Sequence, residues 1–380
     1  MSKRTIESFY KTVSPPKKKI KADEELIPTT FTNHPSYPHP IANLPPSIAS
    51  SLENINADSH PPKIINNQPN LDLLYFHPLI PPQTARDLFN FLRRELPFYR
   101  VQYNIRRGGI NTQINTPRFT TVFGVDATAQ FITPAATATA KGSGSGSQPA
   151  VKTENDAQTD PALTLVDAKT SLPIPSSKYQ YTPRPTPPCL ETLCQTVQRS
   201  IADGSTYNFC LVNYYASGAD SIAYHSDDER FLGADPSIAS ISLGAERDFL
   251  MRRKPSDDIG TSASGASVSK SQPLKFALAG GDMLVMRGGT QANWLHSVPK
   301  RKGGEAPGGT GRINITFRKA VVAGGTNNYY NYNVGSGVVY RWDEGLGEMS
   351  PQARRSSDPY PARKNSPGFR PISPNFPIHT

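Results

Sequence analysis

Cysteine is scarce: the 380 residues hold only Cys189, Cys194 and Cys210, and no two of them form a C-x-x-C pair. So small and odd a set suits a reducing compartment and argues against a disulfide scaffold or a structural zinc site. Long apolar runs are missing as well. No stretch of eighteen apolar residues occurs, nor an N-terminal leader with an apolar core, so the chain is expected to be soluble, not secreted, and to work in the cytosol or nucleus. Apolar residues make up only 36% of the chain, against 37 Pro and 28 Gly, which is too little for its whole length to be packed. Acidic residues are thin at both ends. Residues 1–22 carry seven Lys/Arg against one Glu and residues 346–380 five against two, so the arms hold nearly all of the net charge of +10. Any basic surface on the fold must therefore come from local clustering.

The composition divides the chain into a polar, Pro-rich arm over 1–70, expected to be disordered, one folded domain over 71–344, and a disordered basic tail over 345–380. Gly/Ser/Ala-rich insertions are expected at about 134–162, 255–272 and 302–311. Within the domain, Leu71 to Phe76 reads as a strand and 82–96 as a helix burying Leu88, Phe89, Phe91 and Leu92. A second helix over 189–201 carries the apolar stripe Leu190, Leu193, Cys194 and Val197. Short strands then follow without intervening helices, over 208–215, through His225, over 237–243, 247–252, 274–278 and 282–286, through His296 and over 312–318. Such a succession predicts a mainly β fold with flanking helices, a double-stranded β-helix or jelly roll. Residues 319–344 are expected to add a peripheral hairpin, with Tyr340 and Trp342 covering an edge.

Two stretches of the predicted barrel carry chemistry. In an extended chain His225 and Asp227 share a face while Ser226 points away, so the pair can grip one metal ion. A third imidazole completes a two-His, one-carboxylate set of the kind that holds non-haem Fe(II) with open positions. His296 is the natural candidate, because the other histidine in the region expected to fold is His77, and His34, His39, His60 and His379 fall in the arms. The run 312–318 has the same period: Arg312, Asn314, Thr316 and Arg318 face one way and Ile313, Ile315 and Phe317 the other. Two guanidiniums on one polar face can hold a dicarboxylate through bidentate, charge-assisted hydrogen bonds.

His225-x-Asp227, His296 and Arg312-x-Asn314-x-Thr316-x-Arg318 together resemble the signature of the AlkB family of Fe(II)- and 2-oxoglutarate-dependent dioxygenases, the oxidative dealkylases of nucleic acids. The resemblance covers roughly 71–342. It implies Fe(II) held by His225, Asp227 and His296, with 2-oxoglutarate and O2 as cosubstrates. It also implies that Arg312 clamps the distal carboxylate of 2-oxoglutarate and Arg318 the one near the metal, with Asn213, Tyr215, Asn314 and Thr316 lining the same site. The stretch 117–124 is similar to the nucleotide-recognition lid of the family, which makes Arg118 and Phe123 substrate contacts, Phe123 standing where relatives often have tyrosine. Glu229 sits where the family places an acid against the exocyclic amino group of the damaged base.

The expected activity is oxidative dealkylation of alkylated DNA bases such as 1-methyladenine or 3-methylcytosine, by a nuclear monomer without membrane association. Arg93, Arg94, Arg100, Arg106, Arg107, Lys300, Arg301 and Lys302 are candidate phosphate contacts. Lys17-Lys18-Lys19-Ile20-Lys21 resembles a nuclear-import signal, and Ile6, Phe9 and Tyr10 could form the apolar face of a box that docks on the sliding clamp, although Lys3 replaces its usual glutamine. The alternatives are an RNA demethylase or protein hydroxylase on the same scaffold, and a nuclear nucleic-acid-binding protein that retains the jelly roll without catalysis.

Overall fold

Alternating side chains on a few central strands organise the molecule, because each of those strands is buried on both faces. The structure, a computed structural model, describes residues 30–56, 61–107, 110–133, 163–255, 272–301 and 311–353. Its first ten strands are β1 (Phe31–Thr32), β2 (Ile41–Ala42), β3 (Lys63–Ile65), β4 (Leu73–Phe76), β5 (Phe98–Tyr99), β6 (Gln102–Arg107), β7 (Ile110–Asn115), β8 (Phe119–Gly124), β9 (Ala129–Ile132) and β10 (Thr164–Asp167). The remainder are β11 (Phe209–Tyr215), β12 (Ile222–His225), β13 (Ile238–Gly244), β14 (Arg247–Arg253), β15 (Leu274–Leu278), β16 (Met283–Met286), β17 (Trp294–Val298), β18 (Arg312–Arg318), β19 (Val339–Asp343) and β20 (Glu348–Pro351).

Ten strands form the major sheet in the order β20-β19-β5-β8-β11-β18-β13-β16-β4-β3, and four form the minor sheet β12-β17-β14-β15. The pairings within both sheets are antiparallel, as the jelly roll requires. On one face of the major sheet Phe119, Phe123, Cys210, Val212, Tyr214, Ile241, Ile313, Ile315 and Phe317 share a core with the helices. Those helices are Pro82–Glu95, which buries Leu88, Phe89, Phe91 and Leu92, and Pro188–Ile201, which buries Leu190, Leu193, Cys194 and Val197. Both start with Pro in the first turn, where the missing N–H leaves no bond unmade. The opposite face of the sheet shares a second core with Phe249 and Met251 of β14 and Trp294 and Val298 of β17. Between the two sheets lies the polar row of β18.

Residues 30–56 and 61–70 depart from the expectation of a disordered arm. Helix Pro46–Glu53 packs Ile48 and Leu52, and the β1–β2 hairpin packs Ile41, into the helix-side core. The apolar positions were too sparse among Pro, Asn and Ser to announce a fold, and burial against the helix Pro188–Ile201 decides it. His34 and His39 therefore belong to ordered chain. His34 Nε2 lies 2.9 Å from the Leu163 carbonyl oxygen. The boundary at 345 moves as well, since β20 pairs with β19, which in turn joins β5. The hairpin expected in 319–344 is preceded by a helix, Asn327–Asn333, and Tyr340 packs its ring on Phe119 at 5.1 Å. The import-like and clamp-like motifs, and nearly all of the three insertions, lie outside the described residues.

Candidate metal centre

Strand β12 ends at His225, so Asp227 lies just beyond the strand that alternation predicted for it. Its backbone N–H donates to Gln291 Oε1 at 2.9 Å, which turns the carboxylate inward all the same. His225 pairs in register with His296 across β12 and β17, their rings 4.2 Å apart. Asp227 Oδ1 is 4.0 Å from His225 Nε2, and Asp227 Oδ2 is 3.7 Å from His296 Nε2. One ligand atom from each of the three residues lies within 4.8 Å of the other two. The Ala223 carbonyl oxygen sits 2.8 Å from His225 Nδ1. A carbonyl only accepts, so Nδ1 carries the proton and Nε2 offers its lone pair to a metal.

Burial shapes the charge of the cluster. It pushes His225 below its ordinary value, and burial together with the neighbouring His225 brings His296 down to about 3, so both imidazoles are neutral ligands at physiological pH. Burial alone would raise the Asp227 carboxyl, but Arg318, then His296 and His225, outweigh it and keep the group ionised. Arg318 Nη2 donates to Asp227 Oδ2 at 3.0 Å, and the guanidinium is held well above its ordinary value although burial opposes it. Glu229 is pushed up to about 7 by burial and by the Asp227 charge.

The other end of β18 is built differently. Arg312 is 1% exposed; its Nη2 donates to Ser242 Oγ at 2.9 Å and its guanidinium lies 5.4 Å from the Tyr215 ring centre. Its Nε and Nη1 have no hydrogen-bond partner among the described residues, and neither has Arg318 Nε. Burial lowers Arg312 to about 10. A buried cation with two unused donors is unfavourable unless an anion completes it. Across the strand pair, Asn213 stands opposite Asn314 and Tyr215 opposite Arg312. Asn314 Nδ2 donates to Ser240 Oγ at 2.8 Å and Thr316 Oγ1 to the Leu211 carbonyl at 3.2 Å.

The 2OG-Fe(II) oxygenase superfamily profile matches residues 137–318. The DNA oxidative demethylase ALKBH2 of Arabidopsis thaliana is 42% identical over 127 residues, 31% of this chain and 39% of that protein. Human DNA oxidative demethylase ALKBH2 is 41% identical over 140 residues, 37% of this chain and 49% of that protein. Human alpha-ketoglutarate-dependent dioxygenase alkB homolog 3 is 38% identical over 148 residues, 38% of this chain and 48% of that protein. Within the folded region, residues 137–318 thus carry the 2OG-Fe(II) oxygenase pattern, and the chain is similar there to AlkB-like relatives. This chain spans about half the length, or less, of these curated relatives.

The oxygenase family works with Fe(II), 2-oxoglutarate and O2, and the residues present fit that set. Two neutral imidazoles and one ionised carboxylate suit Fe(II). The unused donors of Arg312, together with Arg318 beside Asp227, suit the two carboxylates of 2-oxoglutarate.

The substrate candidates divide. Arg118 reaches the site, donating from Nε to Asn213 Oδ1 at 2.6 Å, and its charge bears on both His225 and Asp227. Glu229 also reaches it, accepting a hydrogen bond from the Tyr329 hydroxyl at 2.9 Å. Phe123 does not. It is fully buried in the helix-side core, paired with Cys210 and 6.0 Å from the Tyr37 ring, so the stacking role expected for it is corrected to a packing role. In β8 the odd-numbered aromatics point to the helices, while Thr120 and Val122 point the other way.

Several expected phosphate contacts are engaged within the fold. Arg100 pairs with Asp220 at 2.6 Å and covers Phe119, Arg93 lies 3.5 Å from the Trp342 ring centre, and Arg94 pairs with Glu95. Lys300 and Arg301 are exposed. The side chains of Arg106, Arg107 and Lys302 lie outside the described residues.

Sequence reasoning missed Gln291, Ser240, Ser242 and Tyr329. The two serines could have been found, since they alternate on β13 directly opposite Thr316 and Asn314. Gln291 and Tyr329 come from short helices with no pattern that points at a site.

Proposed function

We propose that this protein removes alkyl groups from damaged DNA bases by oxidation, as a direct-repair enzyme of the nucleus. The single observation that carries this reading is the convergence of His225, Asp227 and His296 on the face of the barrel that also holds Arg312 and Arg318, with unused buried donors on both guanidiniums. The DNA oxidative demethylases among its relatives support DNA as the substrate class.

His225, Asp227 and His296 would hold the iron, with Arg312 on the distal carboxylate of 2-oxoglutarate and Arg318 near the metal. Asn213, Tyr215, Asn314 and Thr316 would line the same site. The chemistry that a bound Fe(II) centre supplies, with 2-oxoglutarate and O2, is hydroxylation of the alkyl carbon, after which the aldehyde departs from the base nitrogen. The protein groups prepare the site for it. The Ala223 carbonyl fixes the tautomer of His225, and Arg318 and Gln291 orient Asp227 from its side chain and its backbone. Arg312 and Ser242 present a fixed donor array for a carboxylate, which keeps the cosubstrate in one orientation. Arg118, which donates to Asn213, adds positive charge beside the cluster.

Glu229 gives the substrate its polarity. The Oε2 atom of Glu229 is buried without a partner among the described residues, so a base bearing an exocyclic amino group would satisfy it. A base in a duplex cannot reach a buried cluster, so the nucleotide enters single-stranded or flipped. The basic 17–21 run suits nuclear import, and Ile6, Phe9 and Tyr10 suit docking on the sliding clamp.

The test is incubation of the purified protein with Fe(II), 2-oxoglutarate, ascorbate and a 1-methyladenine oligonucleotide, with base and succinate followed by mass spectrometry. Loss of the methyl group with wild type, and not with His225→Ala, is the expected result. Succinate formed only with an RNA or a peptide would overturn the DNA assignment.

A further inference from the structure

The profile match ends at residue 318, yet the chain continues in ordered form through 353 and sends one side chain back into the site. Tyr329, on the helix Asn327–Asn333, accepts a hydrogen bond from Arg318 Nη1 and donates one to Glu229 Oε1 at 2.9 Å. The direction of this relay is fixed. A guanidinium only donates, so the single hydroxyl proton of the tyrosine is free to go to the carboxylate. The same Arg318 donates through Nη2 to Asp227. One phenol therefore connects the carboxylate of the metal cluster to the carboxylate that faces the substrate.

The ring is half-buried and gripped by two other rings. Phe209 and Phe231 meet it edge-on, at 5.2 and 5.5 Å between ring centres. Its neighbour Tyr330 is fully buried and donates to the Gly124 carbonyl at 2.8 Å while accepting from the Arg184 backbone N–H at 2.8 Å. Tyr181 donates to Asn331 Oδ1, and Thr120 Oγ1 donates to the Asn333 carbonyl. Seven residues make too short a helix to persist alone, so these tertiary bonds are what fix the position of Tyr329.

We infer that Tyr329 is a positioning residue for substrate selection: its hydroxyl holds Glu229 by Oε1 and so leaves Oε2 aimed to accept a hydrogen bond from the exocyclic amino group of the base. This inference rests on the dealkylase reading above. Without the hydroxyl, Glu229 is free to rotate toward Arg318, and the amino group loses its fixed acceptor. Selection between bases with and without that amino group is then the property that Tyr329 controls.

The test uses the full chain and Tyr329→Phe, which keeps the ring packed between Phe209 and Phe231 and removes only the oxygen. Two oligonucleotides differ in one base, 1-methyladenine with an exocyclic amino group or 3-methylthymine with a carbonyl in its place. The preference of wild type for 1-methyladenine, read as the ratio of kcat/KM values and as the ratio of binding constants by fluorescence anisotropy, should fall about tenfold in Tyr329→Phe, the scale of a hydrogen bond to a charged group. The loss should appear mainly in KM, with the melting temperature kept, and should vanish in a Glu229→Gln background. Wild type that prefers 1-methyladenine while Tyr329→Phe keeps that preference would overturn the inference alone, as would equal losses on both oligonucleotides. Wild type that dealkylates neither oligonucleotide would overturn the dealkylase reading and this inference with it.

Discussion

Replacing Arg312 by methionine should stabilise the protein in the absence of 2-oxoglutarate and abolish its response to 2-oxoglutarate. Burial pushes the guanidinium down to about 10, and a depressed value on a basic group means that the folded state disfavours the charge at every pH below it. At pH 7 the penalty is fully present, at roughly 3 kcal/mol. The methionine loses the hydrogen bond to Ser242 and the contact with the Tyr215 ring, about 1 kcal/mol each. A net gain of about 1 kcal/mol remains, or roughly 2–4 °C in Tm for a domain of this size. Wild type with 2-oxoglutarate at a hundredfold over its Kd should gain about 2.7 kcal/mol, roughly 5–10 °C. The assay is thermal unfolding of both proteins with and without 2-oxoglutarate, with Mn(II) in place of Fe(II) so that no turnover occurs. A variant that melts more than about 5 °C below wild type, or that keeps the ligand shift, would refute the picture of Arg312 as a strained carboxylate receptor.

Further outcomes follow from the same structure. Phe123→Ala should cost about 3–5 kcal/mol in urea unfolding, as for a fully buried phenylalanine, whereas a stacking side chain at a substrate mouth would leave stability nearly unchanged. Leu52→Ala should cost about 2–5 kcal/mol, and no change would mean that 30–56 does not fold onto the barrel. In the metal-free protein an unfolded imidazole titrates near its ordinary value while His296 titrates near 3, so the unfolded chain holds the extra proton between those limits. Stability should therefore fall as pH drops below about 6.5, by roughly 1.4 kcal/mol per pH unit from this group alone. Urea midpoints between pH 7 and 5 should show a shallower slope in His296→Ala, and an identical slope would contradict the assignment. Gly124→Ala should destabilise by more than about 1 kcal/mol, because φ is +95° and an added Cβ would lie 2.2 Å from the Asn208 carbonyl oxygen; unchanged Tm would show that the turn can relax.

Much of the site was legible because its logic is local. In a strand the side-chain period is two, so the spacing of Arg312, Asn314, Thr316 and Arg318 puts them on one face whatever lies beyond it. The helices 82–95 and 188–201 announced themselves through apolar stripes, and both bury the stripes named from sequence. Phe123 shows where local logic stops. Strand β8 is buried on both faces, so no polar–apolar contrast says which face meets the helices and which the site. The charge run around Arg100 was legible as charge, but its pairing with Asp220, 120 residues away, was not.

The sequence by itself determined the strand succession over 208–318, the His225–Asp227 pair and the common face of the two arginines, since each follows from residue type and short-range spacing, while His296 was reached by elimination and resemblance. The tertiary structure decided that 30–56 joins the core, that Phe123 packs away from the site, that Gln291 turns Asp227 inward and that Tyr329 bridges Arg318 and Glu229. Each of these depends on a partner brought close by sheet register and helix docking rather than by position along the chain, and such partners exist only once the barrel has closed.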